Sequence, residues 1–279
     1  MLILLSMLVI FTTRIPPWVF MWALSFAIFA SLKWMTWWKA RFKVPHNAAR
    51  SFFYLAAWPG MDAASFLDAR RRVARPTARE WLWATFKTAT GVALMWMVAR
   101  HVPEDEPLVR GWIGLFGLIF ILHFGSFHLI ALFWQAVGVD AQPIMSKPLL
   151  SKTLSEFWGK RWNLGFRQIA HDYIFRPFYK RTSLAIAGFL VFIASGLIHD
   201  LVISFPAHGG YGLPTGYFAL QGLGVSLERS AVGRRFGLQE GASAWIFMAV
   251  VTSAPVFWLF HPPFVLRVIV PFMHAIHAL

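Results

Sequence analysis

Two stretches of this chain hold residue types that can do chemistry in apolar surroundings. The first, FLVFIASGLIHDLVISF, sets His199 and Asp200 inside a run that is otherwise apolar. An ionisable side chain within a membrane span costs about 2.5–3.5 kcal/mol on insertion scales, so such a residue marks a functional position by default. An imidazole titrates near neutral pH, which suits a general base. Asp200, the next residue, points about 100° away on a regular helix and so does not orient His199, whereas Ser195, one turn earlier, shares its face. The second stretch, TLSEFWGKRWNLGFRQIAHDY from Thr153 to Tyr173, opens with Thr153 and Glu156 at capping-box spacing. The spacing predicts one basic amphipathic helix. Trp158, Trp162, Phe166, Ile169 and Tyr173 form one stripe, and Glu156, Lys160, Asn163, Arg167 and His171 another. Asn163 then stands between two cations, an arrangement that fits an anionic substrate carrying a carbonyl, for example an acyl-CoA. A helix lying on lipid headgroups has the same pattern.

The elements that must position these residues follow from composition. Of 279 residues, 58% are hydrophobic and only 14% charged, against about 45–50% and 25% in soluble domains. Fifteen Trp and 28 Phe suit helix ends held at membrane interfaces. The chain reads as an all-α, polytopic membrane helix bundle, a single domain over 1–279. Eight apolar runs qualify as spans: 2–13, 18–32, 81–99, 111–138, 183–205, 213–227, 242–260 and 262–279. The fourth is long enough to tilt, kink or split near Gly125. The first has no positively charged lead-in and reads as an uncleaved span, not a signal peptide.

Charge sets the orientation. Most of the 26 Lys and Arg fall in loops 33–80, 139–182 and 228–241, on one side of that topology, which makes it the cytoplasmic side and both termini cytoplasmic. The net charge of +14 is explained by orientation and anionic headgroups, so no nucleic-acid partner is expected. Interfacial or re-entrant helices are expected in loops 33–80 and 139–182. With no Cys, disulfides and thiolate chemistry are excluded. His123 and His128 point about 140° apart on a regular helix, and no His/carboxylate spacing suggests a metal site, so none is assigned.

Three motifs carry a family resemblance. FWGKRWN at Phe157–Asn163, SGLIHD at Ser195–Asp200 and LQGLGVSLE at Leu220–Glu228 occur in an order and spacing that resemble the wax synthase-like branch of the membrane-bound O-acyltransferases. Lys160 stands where that branch has Arg, and Asp200 where it has Glu. The resemblance covers 152–228; the N-terminal half matches in hydropathy and layout alone. It implies transfer of an acyl group from acyl-CoA, a co-substrate with no further cofactor, to an alcohol hydroxyl. It also implies that His199 and Asn163 are the catalytic pair.

On this reading His199 takes the hydroxyl proton, Asn163 hydrogen-bonds the donor or the developing oxyanion, and Lys160, Arg161 and Arg167 hold CoA phosphates. Trp158, Trp162, Ser195 and Asp200 complete the substrate contacts. His199 lies about 24 Å along its span from Ser183 at 1.5 Å per residue, while Asn163 belongs to a cytoplasmic loop. A tunnel joining them is therefore expected, entered by the donor from the cytoplasm and by a lipophilic alcohol from the lipid. A bacterial inner membrane suits the compact chain. The competing reading is a transporter or flippase whose polar path is lined by Lys87, His123, His199, Asp200 and Arg267.

Overall fold

The computed structural model describes residues 15–279; the expected span at 2–13 lies outside them. Among the described residues every regular element is helical. Helix α1, Pro17–Ala40, starts on a proline whose missing N–H is no loss in a first turn. It runs past its expected end at 32. Lys33, expected as a loop charge, is instead buried in α1, where its amine donates to the Gly60 carbonyl at 2.5 Å and lies 3.3 Å from the centre of the Tyr54 ring. The Gly60 carbonyl and the face of the Tyr54 ring are thus the partners of this buried amine. The following segment forms α2, Ala48–Ala57, and α3, Ala63–Leu67, capped by Asn47 and Asp62. Tyr54, Phe66 and Leu67 are fully buried in one cluster with Trp58, Trp134 and Ala131. This segment therefore packs as a folded unit.

A complete Thr77–Glu80 capping box opens α4, Ala78–His101. Helix α5, Pro107–Ala136, is unbroken but contains a π-helical stretch, Phe120–Ser126, around Gly125. After it come α6 (154–161) and α7 (167–179), then α8, Leu184–Ala207, capped by the Ser183 hydroxyl. Helix α9 is Leu213–Arg229, α10 is Ala231–Arg235, α11 is Gly241–Leu259 and α12 is Pro262–Ala275. Five of these, α1, α4, α5, α8 and α11, are long and apolar enough to cross a membrane. The chain is a multi-pass integral membrane protein. At 17 residues α9 is shorter than a typical full crossing of about 20, as is α12.

One core joins the bundle: Met95 of α4, Leu115 of α5, Ile203 of α8, Tyr217 and Phe218 of α9, and Ile269 and Met273 of α12 are buried together. Helices α8 and α9 meet closely because a Cβ on Gly196 would lie 2.6 Å from the Thr215 Cα; only glycine admits that approach.

Candidate active site

The helix bearing FWGKRWN is not the continuous one that periodicity predicts. Thr153 caps it as expected, its hydroxyl accepting the Glu156 N–H at 3.1 Å. Residues Phe157–Arg161 then widen into a π turn, Trp162 is extended and Asn163 turns left-handed with φ 45°. The cause is tertiary. The Ser146 N–H donates to the Arg161 carbonyl at 2.8 Å, the Leu164 N–H to the Ile144 carbonyl at 2.8 Å, and the Asn163 N–H meets the Met145 sulfur at 3.3 Å. Backbone partners in 144–146 thus replace the helix's own. Asparagine is among the few side chains that adopt this conformation readily.

This bend undoes the expected Lys160–Asn163–Arg167 face. Lys160 is exposed and is not part of the cavity wall. Arg161 is held by Glu156, with N–O distances of 2.7 and 2.8 Å, and so braces the turn. The Glu156 carboxyl titrates below its ordinary range, because the Lys152 N–H donates to it and Arg161 lies beside it. Arg167 does line the cavity. Asn163 lines it too, and its carboxamide makes no hydrogen bond to any described residue.

His199 sits where the α-helical part of α8 gives way to a π turn over Asp200–Ser204, an irregularity frequent at functional sites. Its Nδ1 is 2.7 Å from the Ser195 carbonyl. A carbonyl can only accept, so Nδ1 carries the proton and Nε2 keeps its lone pair. The Ser195 contribution expected from spacing is thus made by its backbone, and the residue lines the cavity.

Asp200 takes no part in that arrangement. Its carboxylate accepts the Ser204 hydroxyl and the Gly212 N–H at 2.8 Å each, the Thr215 N–H at 3.0 Å and the Thr215 hydroxyl. It caps the start of α9, and behind it the fully buried His261 reaches Ser204 at 3.1 Å. A Cβ on Gly210, which has φ 72°, would lie 2.4 Å from that imidazole.

An aromatic wall connects the two motifs. Trp162 packs edge-on against Trp158, Trp158 against Phe218 at 5.6 Å, and Phe218 against the His199 ring at 4.5 Å. Trp158 is steadied by Gln221, whose carboxamide oxygen accepts the indole N–H at 3.3 Å and whose amide donates to the Val251 carbonyl at 2.8 Å. Gln221, Glu228 and Phe218 are positioning residues that the sequence reading missed. For Gln221 and Glu228 the signal was present in LQGLGVSLE, where a polar side chain in an apolar run needs a buried partner; for Phe218 there was none. Asn163, Trp158, Trp162, Ser195 and His199 all line one continuous cavity of about 3880 Å³. Of the five residues suggested for a polar transport path, Lys87, His123 and His199 line it too. Arg267 instead donates to the carbonyls of Ala207 and His208 at the end of α8.

The sequence profile of the membrane bound O-acyl transferase family matches residues 141–219, which span both motifs of this site. The matched residues make up less than half of the chain. A probable long-chain-alcohol O-fatty-acyltransferase 7 of Arabidopsis thaliana is 30% identical over 142 residues, covering 45% of this chain and 41% of the relative. A long-chain-alcohol O-fatty-acyltransferase of Simmondsia chinensis is 28% identical over 143 residues, covering 46% and 40%. An acyl-CoA–sterol O-acyltransferase 1 of Arabidopsis thaliana is 31% identical over 71 residues, covering 23% and 21%. The chain thus spans less than half the length of each of these relatives.

Proposed function

We propose that this protein is an O-acyltransferase that moves a fatty acyl group from acyl-CoA to a lipophilic alcohol. The observation that carries the proposal is that Asn163 and His199, whose Nε2 keeps its lone pair, line the same cavity. The Nε2 lone pair takes the hydroxyl proton as the oxygen attacks the thioester carbonyl. The C–S bond then breaks, the proton passes to the leaving thiolate, and ester and free thiol result. The unpartnered Asn163 carboxamide donates to the carbonyl oxygen as charge develops there, a contribution of about 3 kcal/mol where comparable donors have been removed. Arg167 holds a CoA phosphate. Trp158, Trp162, Phe192 and Phe218 give the acyl chain and the alcohol an apolar wall. The names of the relatives favour a long-chain alcohol as acceptor, with a sterol as the next candidate.

In this reading the basic loops face the cytoplasm and the donor enters from the Arg167 side. Lipid mass spectrometry tests it on cells that express the wild-type chain or His199→Ala at matched levels and are fed a panel of alcohols. New ester in the wild type, absent in His199→Ala, supports the reading. Ester formation that survives the substitution overturns it.

A further inference from the structure

The same cavity has a second polar station that acyl transfer does not use. Lys87 of α4 and His128 of α5 both line it, with Lys87 Nζ 2.8 Å from His128 Nδ1. An ammonium only donates, so Nδ1 is the acceptor and the imidazole proton sits on Nε2. As a unit the pair therefore offers donors alone: two remaining ammonium N–H groups and the Nε2–H. Among the described residues no carboxylate lies within ion-pair distance of Lys87. Glu80, two turns earlier on the same helix, is committed to the Thr77 capping box. Earlier on α5, His123 lines the cavity with its Nδ1 buried and without a partner among the described residues. The π stretch Phe120–Ser126 includes His123, so the helix between the two histidines is not regular.

Tight helix packing fixes the pair. A Cβ on Gly91 would lie 2.7 Å from the Gly117 carbonyl, and one on Gly125 2.3 Å from the Thr88 hydroxyl, so the two backbones touch directly around Lys87. Lys87 lies about 14 Å from the start of α4 and His128 about 12 Å from the end of α5, at 1.5 Å per residue. Both lie well inside helices long and apolar enough to cross a membrane, where an unmatched cation is costly. Phe86, Phe124, Phe127 and Leu122 line the cavity nearby, so the surroundings suit an alkyl chain. One ammonium matches one negative charge, which fits a monoanion better than the several phosphate charges of a CoA. Arg72, Arg75, Arg79 and Lys147 elsewhere on the cavity wall suit those.

We propose that Lys87 and His128 bind the carboxylate of a single-chain fatty acid, one oxygen on the ammonium and the other on Nε2–H, with the tail in the apolar cavity. The site stands apart from acyl transfer, because binding is read without turnover. The test uses the full chain in nanodiscs with radiolabelled palmitate, hexadecanol and palmitoyl-CoA as probes. Palmitate affinity falls at least about tenfold in Lys87→Met, the size expected for loss of a charge-assisted contact. It falls less in His128→Phe and is retained in Lys87→Arg, which also reports that the fold survives. Hexadecanol binding is unchanged in all three. Palmitate binding to Lys87→Met at wild-type affinity overturns the assignment. So does displacement of palmitate by free CoA together with an equal loss of palmitoyl-CoA binding, since the site then belongs to the donor.

Discussion

The Glu228 carboxylate accepts the backbone N–H of Leu154 at 2.6 Å, across 74 residues of chain, and also reaches the Ser155 N–H at 3.3 Å. Glu228 is 3% exposed, so the last residue of the third motif caps the helix that carries the first. Asp200 of the second motif caps the helix that carries the third. The three motifs are mechanically one device.

Glu228→Gln keeps the shape and removes the charge. Loss of a charge-assisted cap at a buried site costs about 1.5–3 kcal/mol, so the thermal unfolding midpoint in detergent falls. Gln221→Leu frees the Trp158 indole N–H and leaves the Val251 carbonyl unpaired, and it lowers the midpoint as well.

Asp200→Asn separates scaffold from chemistry. It weakens the start of α9 by about 1.5–3 kcal/mol, yet leaves the His199–Ser195 hydrogen bond intact. Ester formation normalised to folded protein is retained, while His199→Ala abolishes it. A loss in Asp200→Asn equal to that in His199→Ala would assign Asp200 a chemical role.

At Asn163 two effects must be kept apart. Asn163→Ala loses the carboxamide and also places a less tolerant residue at φ 45°, about 1 kcal/mol of added strain. Asn163→Gly loses only the carboxamide. Both variants lower kcat by about 10²–10³-fold, and the glycine variant keeps a near-native unfolding midpoint. Activity in Asn163→Gly close to wild type would remove the oxyanion role.

The Glu156 and Asp172 carboxyls are both held below their ordinary range. The Lys152 N–H and Arg161 act on the first, Lys39 and Gln168 on the second. A carboxyl depressed on folding contributes stability above its unfolded value, which for Glu is 4.5, and loses it as pH falls through the folded value. Unfolding midpoints measured on an acid titration therefore fall below about pH 4.5 in the wild type. They fall less steeply in Glu156→Gln and Asp172→Asn, with the alkaline limb unaltered.

Local patterns carried much of this architecture. Apolar run lengths locate α4, α5, α8 and α11, Thr153 caps its helix, and the four-residue interval places His199 over Ser195. What escaped depends on partners far away in sequence. The break at Trp162–Asn163 is imposed by 144–146, Arg161 is claimed by Glu156 only because the helix widens between them, and Lys33 is buried because Gly60 and Tyr54 fold back over it. Periodicity assumes a regular helix, and the π turns at Phe157–Arg161, Phe120–Ser126 and Asp200–Ser204 each break that assumption.

The imidazole of His199 takes its orientation from a carbonyl of its own helix, whereas the walls around it come from α6 and α9. The hydrogen-bonded unit is thus self-contained, and the aromatic surfaces facing it are separable parts. Under the proposed function, lineages built on this plan can exchange bulk at Trp158 or Phe218 to admit a rigid ring in place of a flexible chain without retuning the base. On that reading one chemistry serves many alcohols.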